Sequence, residues 1–225
     1  MKVGTKSVLF GAHCFFIHPI FVAIAWTKLY GFPFDPRIWV AFFVHDLGYW
    51  GKPNMDGSEG ETHVELGAKI MHFLFDIDCN QDDCYKRKFQ KADNIIGNGE
   101  TGIQSCPECY KWRNFSMYHS RYYAKKYGAQ PSKLCFADKL SFSFTPRIIY
   151  IPMTSATGEI YEYIKQNGMY NDKPIDWVPD LSLKRIWHED VDLYMKDWVE
   201  IHKDGREDTW TNPEQHTIKE NGVLK

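Results

Sequence analysis

Helical periodicity is the feature of this sequence that most constrains its fold. Apolar residues recur every three to four positions through most of the 225 residues, as on the buried face of an amphipathic helix. Only Ile148–Ile151 resembles a short strand. With 44% apolar and 16% aromatic residues, the chain is long enough to bury one sizeable core. We therefore predict an all-α protein.

Prolines, glycines and a capping motif set the predicted helix boundaries. Pro19 favours a helix start, Gly31 and Pro33 a helix end, and Ser58 with Glu61 forms a capping box. The predicted helices are 19–30, 35–48, 60–75, 110–127, 132–144, 159–166 and 181–202. Residues 76–109 form an irregular, Cys-containing insertion. We expect a single domain over 1–205 and a polar C-terminal tail over 206–225.

The apolar run from Val8 to Trp26 has two interpretations. Ala23-Ile24-Ala25 is similar to a signal-peptidase site, but His13, His18 and Pro19 interrupt the run. A membrane span needs about twenty uninterrupted apolar residues. We interpret the run as core and expect a cytoplasmic protein without a membrane partner. The formal charge of −2 gives no bulk-charge reason to expect nucleic acid as a partner.

Polar residues on apolar helical faces carry the functional signal. These residues are His18, His63, His119 and Asp138, together with the pair His45-Asp46 near the end of the second helix. Burial of each requires a partner that offsets the lost solvation. If these side chains converge from several helices, they would surround a positively charged partner. A ligand set of imidazoles and carboxylates suits Mn, Fe, Zn, Ni or Co. Gly48 would let another backbone segment approach the pair closely. The alternative is a helical core of hydrogen-bonded histidines.

These positions resemble the HD-domain superfamily of metal-dependent phosphohydrolases. The stretch HPIFVAIAWTKLYGFPFDPRIWVAFFVHDLG, residues 18–48, is similar to the first two core helices of that family. Asp138, in Ala137-Asp138-Lys139-Leu140, stands where the family has its distant aspartate. His63 in HVELGAKIM and His119 in HSRYYAKKYG match the additional histidines of two-metal members. The resemblance covers residues 13–144 and implies an HD-domain helical bundle, with extra helices beyond it.

The resemblance also implies a role for each residue. The first divalent metal would be held by His18, His45, Asp46 and Asp138. The second would be held by Asp46, His63 and His119, with the Asp46 carboxylate bridging. His13 competes with His18 as the first ligand, and we prefer His18 because of its spacing to His45. One or two ions are therefore expected as cofactor.

The insertion contains a second metal-binding signal. Cys106-Pro-Glu-Cys109 resembles a zinc knuckle, and Cys79 with Cys84 could complete a four-cysteine structural zinc site. Reduced or disulfide-bonded cysteines without metal are the alternative. Cys14 and Cys135 are predicted to lie in apolar helices and are expected in the core.

Hydrolysis of a phosphate ester is the first functional hypothesis. Two neighbouring metals acidify water and neutralise phosphoryl charge, so a nucleotide or another small phosphorylated metabolite is the expected substrate. Asp46 would act at the metals, and the phosphate-contact candidates are Lys52, Arg121 and Lys139. Asp56, Glu59 and Glu61 could supply an acid or base, or only cap a helix. Tyr49 and Trp50 could stack on a base.

Two alternatives keep the same ligand set. One is an HD-type mixed-valence di-iron oxygenase, with which the His63 and His119 pair is compatible. The other is a non-catalytic domain that binds a phosphorylated ligand. Fold analogy does not choose the substrate, and the sequence does not specify an oligomeric state.

Overall fold

The computed structural model describes residues 1–55, 59–76, 110–166 and 179–204. Every regular element in these ranges is helical, which confirms the predicted all-α class. The α-helices are α1 (Val3–Phe10), α2 (His18–Tyr30), α3 (Pro36–Val44), α4 (Val64–Phe75), α5 (Lys111–Met117), α6 (Arg121–Lys126), α7 (Lys133–Phe144), α8 (Arg147–Thr157), α9 (Glu159–Gln166) and α10 (Leu181–His202). Leu47–Tyr49 and Gly60–His63 form 3-10 helices.

Local chemistry explains several of the helix starts. The side chain of Asp35 accepts a hydrogen bond from the Arg37 amide at the start of α3, where Pro36 is the first helical residue. Asp180 caps α10 in the same way through the Leu183 amide. These caps satisfy amide groups that have no partner within the helix.

The main core brings α2 and α3 together with α4, α5 and α7. Its fully buried residues include Val22, Phe42, Met71 and Leu134. Trp26 packs edge-on against Phe115, with ring centroids 5.9 Å apart. Helix α2 lies along α7, and α4 lies along α5. The helices that carry the predicted ligands are therefore those that share this core.

The described helices after residue 145 pack on α7 or next to α1. Phe136 on α7 stacks on Trp198 of α10, with ring centroids 5.4 Å apart. Helix α8 contacts α1, and the buried Ile160 and Ile164 of α9 pack in a second apolar cluster with Tyr150 and Trp187. The described helices after residue 145 are therefore attached to the helices that carry the site.

Two predicted elements were wrong. Ile148–Ile151 is part of α8 and not a strand, because Tyr150, Ile151, Thr154 and Thr157 present one buried face at helical spacing. The predicted helix 110–127 is two helices that break at Tyr118–Ser120. Ser120 begins the second of them as its N-cap, since its hydroxyl accepts a hydrogen bond from the Tyr123 amide.

Some predictions lie outside the described residues. They include Ser58 of the capping box, Asp56, almost all of the insertion 76–109 and the tail 206–225. Cys14 and Cys135 are buried free thiols, as expected. No helix in the described part of the chain has the length and apolar character that a membrane crossing requires.

Candidate metal centre

The first group of predicted ligands converges at one end of the core. His18 begins α2, His45 follows the last residue of α3, and Asp138 lies in the middle of α7. His18 Nε2 lies 3.1 Å from Asp138 Oδ1, 3.2 Å from Asp46 Oδ2 and 3.3 Å from His45 Nε2. One ligand atom from each of the four residues lies within 4.8 Å of the other three, a spacing that could hold one metal ion.

The second group lies beside the first. His63 is the last residue of a 3-10 helix, and His119 lies in the break between α5 and α6. Their Nε2 atoms are 3.1 Å apart, and they lie 3.7 and 3.4 Å from Asp46 Oδ1. These three residues also have ligand atoms within 4.8 Å of one another.

Asp46 joins the two groups through its two carboxylate oxygens. Oδ2 faces His18 and His45, whereas Oδ1 faces His63 and His119. Asp46 lies directly after His45, where the chain leaves the α-helix and enters the 3-10 helix Leu47–Tyr49. This change of backbone geometry lets two adjacent side chains point to one place, which a regular helix would keep about 100° apart.

A glycine allows the second group to reach Asp46. Gly48 packs against the backbone of His63, and a β-carbon at Gly48 would overlap the His63 carbonyl oxygen. The sequence-based expectation that Gly48 permits a close backbone approach is therefore confirmed. A side chain at this position would separate the two histidine groups.

Backbone carbonyls orient three of the four histidine rings. Nδ1 of His45 lies 3.0 Å from the Phe42 oxygen, Nδ1 of His63 lies 2.7 Å from the Gly60 oxygen, and Nδ1 of His119 contacts the Ser116 oxygen. A carbonyl oxygen only accepts, so each Nδ1 carries the proton. The Nε2 lone pairs then point into the centre, as in metal-binding histidines.

The ligand atoms that face one another in the two groups require a positive charge between them. The lone pairs of His63 and His119 face each other at 3.1 Å, and that of His45 faces Asp46 Oδ2 at 3.1 Å. The buried Oδ2 has no hydrogen bond with a described residue. Acceptors that face one another in a buried site repel unless a proton or a cation lies between them. The donor set therefore fits divalent transition metals.

The pKa values of the first group also indicate that its ligand atoms require a positive charge between them. Burial lowers the pKa of His45, but Asp46 and Asp138 outweigh burial and raise it to about 10. Burial also lowers the pKa of His18, but the nearby carboxylates of Asp138 and Asp46 outweigh burial and raise it. Burial raises the pKa of Asp46, yet His45 and the neighbouring imidazoles hold it well below its usual range. The first group therefore attracts cations.

The second group differs in its electrostatics. Burial and the neighbouring His119 lower the pKa of His63 to about 3, and Asp46 offsets only part of this shift. The His63 ring is therefore neutral at ordinary pH, and a neutral imidazole is the form that binds a metal. Tyr49 stacks on this ring, with centroids 4.0 Å apart. The ring is thereby held in place.

A cavity of about 360 Å³ opens onto the centre. Its walls include Asp46, His63, His119 and Asp138 from the two groups. Its other wall residues are His13, Tyr49, Met55, Glu61, Ser120, Arg121, Tyr122, Lys125 and Lys139. The volume is in the range of sites for small molecules.

Two predicted phosphate-contact residues line this cavity. The guanidinium of Arg121 donates to the Tyr194 hydroxyl at 3.1 Å and lies 4.9 Å above the Trp198 ring, so α10 supports it. The ammonium of Lys139 lies 3.5 Å from Asp138 Oδ2. Burial lowers the pKa of Lys139, but Asp138 outweighs burial and raises it. Both side chains therefore bring positive charge to the wall.

The third predicted phosphate-contact residue does not line the cavity. Lys52 contacts the Thr62 hydroxyl and is not part of the cavity wall. Trp50 is exposed and is not a wall residue, whereas Tyr49 is buried and lines the cavity. The structure therefore brings Arg121 and Lys139 to the site but places Lys52 at the adjacent loop.

His13 is near the centre but is not among either group of ligands. Its Nδ1 lies 2.9 Å from the Ser7 hydroxyl, and its ring centroid lies 5.5 Å from that of His18. The structure therefore places the ligand atom of His18, and not that of His13, within the first group. His13 instead forms part of the cavity wall.

Sequence reasoning missed two residues of the site region. Lys125 lines the cavity four residues after Arg121, and this spacing on one helix face could have identified it. Glu159 is fully buried in contact with Ser7, and no sequence signal connects residues so distant in the chain. The predicted zinc ligands Cys79, Cys84, Cys106 and Cys109 lie outside the described residues.

Comparison with known proteins gave no match. No family model matches the chain, and neither curated proteins nor solved structures gave a significant similarity.

Proposed function

We propose that this protein is a metal-dependent phosphohydrolase of the HD-domain type that acts on a nucleotide or another small phosphorylated metabolite. The observation that carries the proposal is the position of Asp46. Its two carboxylate oxygens face separate groups of imidazoles, as expected of a carboxylate that bridges two metal ions.

The residues that would hold the ions are those of the two groups. His18, His45, Asp46 and Asp138 would hold one ion, and Asp46, His63 and His119 the other. When bound, divalent ions supply Lewis acidity, which makes a water molecule more acidic and neutralises charge on a phosphoryl group. The second group offers fewer protein ligands and therefore leaves more coordination positions for water or substrate.

The cavity wall supports an anionic substrate. Arg121, Lys125 and Lys139 all line the cavity, next to the two groups. Phosphoryl transfer depends mainly on positioning and on the stabilisation of negative charge. These cations bind and orient the phosphate, and Tyr194 and Trp198 hold the Arg121 side chain in place.

Glu61 is the acid or base candidate that lies at the cavity. One oxygen of its carboxylate accepts a hydrogen bond from the Ser120 hydroxyl at 3.3 Å. Ser120 follows His119 directly, so this contact positions Glu61 beside the second group. In the proposed reaction the protonated Glu61 carboxyl donates its proton to the leaving-group oxygen as the bond between that oxygen and phosphorus breaks.

The di-iron oxygenase remains the second candidate, because the same six ligands and the open second group suit it equally well. It differs from the first in what it consumes. An oxygenase takes up oxygen and is active only with iron, whereas a phosphohydrolase releases inorganic phosphate without oxygen. A non-catalytic binding domain would do neither.

The test combines metal content with turnover. The protein is purified under reducing conditions, as the wild type, as Asp46→Asn and as the control Asp35→Asn, whose carboxylate caps α3 away from the centre. Metals per chain are measured by elemental analysis. Phosphate release is measured from nucleoside monophosphates and sugar phosphates with added manganese, cobalt, nickel or iron, alongside oxygen uptake.

We expect about two transition-metal ions in the wild type and in Asp35→Asn, with phosphate release from at least one ester. Asp46→Asn should lose both properties. A wild type that binds no metal after reconstitution would overturn the metal centre. Metal binding with oxygen uptake and no phosphate release would overturn the hydrolase in favour of the oxygenase.

A further inference from the structure

His13 is a cavity residue whose hydrogen-bonded partners lie outside the metal centre. It lies in the turn between α1 and α2, with its ring 4.7 Å from the ring of Tyr49. The two groups of ligand atoms do not include it. Its neighbours on the side away from the cavity are Ser7 of α1 and Glu159 of α9.

The Glu159 carboxylate accepts hydrogen bonds from three donors. Its Oε1 accepts hydrogen bonds from the Ala12 amide at 2.7 Å and the Thr157 hydroxyl at 2.9 Å, and its Oε2 accepts one from the Ser7 hydroxyl at 2.6 Å. A β-carbon at Gly11 would overlap this carboxylate. Donors therefore surround a fully buried side chain, which is the environment that an ionised carboxylate requires.

These contacts fix the direction of each hydrogen bond. The Ser7 hydroxyl has one proton and donates it to Glu159. Ser7 Oγ must therefore accept at its 2.9 Å contact with His13, and Nδ1 of His13 is the donor. In the neutral ring Nε2 then carries a lone pair. Because the Nδ1 edge faces Ser7, the edge left for the cavity is the one with this acceptor.

The polar wall of the cavity thus has positively charged side chains and, at His13, a hydrogen-bond acceptor. Arg121, Lys125 and Lys139 complement the negative oxygens of a phosphate. The acceptor of His13 complements a hydrogen-bond donor, which a phosphate ester carries on its carbon skeleton. An ammonium donor would be repelled by the three cations and the metals, so a neutral hydroxyl is the donor that fits.

We propose that His13 contacts the substrate by accepting a hydrogen bond from a hydroxyl group. Glu159 positions His13 for this contact through Ser7. The substrate is therefore a hydroxyl-bearing phosphate ester. This inference rests on the proposed function for the phosphate part of the substrate. The arrangement of His13, Ser7 and Glu159 does not depend on it.

Substitution of Glu159 by Gln gives a specific test of the positioning role. The Ala12 amide can only donate, so the oxygen of the Gln amide must face it, and the amide NH₂ must face Ser7. Ser7 then accepts from Gln and donates to His13 Nδ1. The His13 ring should change from the tautomer with a proton on Nδ1 to the one with a proton on Nε2.

Nitrogen NMR of the zinc-loaded, histidine-labelled full chain measures this tautomer. The His13 signals are assigned by their absence in His13→Gln. We expect the Nδ1–H tautomer in the wild type and the Nε2–H tautomer in Glu159→Gln. Glu65→Gln is the matched control, because the Glu65 carboxylate accepts a hydrogen bond from Tyr123 and has no contact with Ser7, and it should leave the tautomer unchanged.

Binding of two phosphate esters tests the substrate contact. Glycerol 3-phosphate and propyl phosphate carry the same phosphate and differ in their hydroxyl groups. Titration calorimetry of the zinc-loaded wild type should show a dissociation constant about fivefold lower for glycerol 3-phosphate, the effect of one net hydrogen bond. His13→Phe should bind both equally, and His13→Gln, which keeps an acceptor, should retain part of the preference.

Three results would overturn the inference. They are a wild-type His13 that carries its proton on Nε2, a preference for glycerol 3-phosphate that persists in His13→Phe, and loss of bound metal from His13→Phe, which would make His13 a ligand. Failure of the proposed function looks different. In that case the protein loaded with manganese, cobalt, nickel or iron releases no phosphate from any ester, while the tautomers of His13 in the wild type and in Glu159→Gln are those expected.

Discussion

The two ligand groups share Asp46 but differ in charge and in the backbone that carries them. The first group combines two carboxylates with two imidazoles, and its ligands lie at the start of α2, at the end of α3 and within α7. The second group has only the shared carboxylate, and its histidines lie at the end of a 3-10 helix and in the break between α5 and α6. Fewer negative charges attract a cation less strongly.

The difference appears in the pKa values of the two groups. Asp46 and Asp138 outweigh burial and raise the pKa of His45 to about 10, whereas burial and His119 lower the pKa of His63 to about 3. The His45 ring is therefore protonated at neutral pH without metal, whereas the His63 ring is neutral. We therefore expect the first group to bind a metal ion more tightly and the second group to lose its ion first.

The largest effect is expected from Asp46→Asn, because both groups depend on this carboxylate. About two transition-metal ions per chain, those that the two groups bind, should both be lost, and phosphate release should decrease on the order of a thousandfold or more. Elemental analysis and phosphate assays measure both. Full metal content in the variant would contradict the shared role of Asp46.

His63→Gln should separate the two groups. We expect loss of the second ion with retention of the first, and a decrease in phosphate release of about a hundredfold. His72→Gln is the matched control, because His72 pairs with Asp76 at the other end of α4 and should leave both ions in place. Equal loss of both ions from His63→Gln would show that the two groups do not bind independently.

The metal-free protein should show opposite pH responses of the two groups. His45 has a folded pKa above its ordinary value of 6.5, so its contribution to stability is full below pH 6.5 and is lost as pH rises towards 10. His63 has a folded pKa below 6.5, so its contribution is full above pH 6.5 and is lost as pH falls towards 3.

Urea unfolding of the chelator-treated wild type, His45→Gln and His63→Gln between pH 4 and 10 tests this contrast. The free energy of unfolding lost in His45→Gln should be about 3 kcal/mol at pH 6 and should decrease as pH rises. The loss in His63→Gln should decrease as pH falls. The same pH trend in both variants would contradict the electrostatic difference.

The smallest effect is expected at the cavity wall next to the second group. Lys125→Met should raise KM for a phosphate ester about threefold to fivefold without a change in metal content, since an exposed cation contributes roughly 1 kcal/mol or less. Lys126→Met is the control, because its ammonium lies over the Tyr123 ring and is not at the cavity. A larger effect of Lys126→Met would move the phosphate site away from this wall.

Much of the fold followed from the sequence. Apolar periodicity with Pro19, Gly31 and Pro36 gave the boundaries of α2 and the start of α3, because these signals act within a few residues. The strand predicted at Ile148–Ile151 was wrong, because packing of one face against the core decided in favour of α8. The predicted helix 110–127 is two helices, and His119 lies in the break between them. From this position His119 contributes to the second group.

The sequence by itself determined which residues can bind metal, since polar residues on apolar helix faces must converge on a partner whatever the detailed packing. The tertiary structure decided how they divide into two groups and which oxygen of Asp46 faces each, because that depends on the close approach allowed by Gly48. Packing of α9 against α1 likewise decided that Glu159 meets Ser7 and His13. Contacts between residues this distant in the chain leave no periodic signal, and only the folded core brings them together.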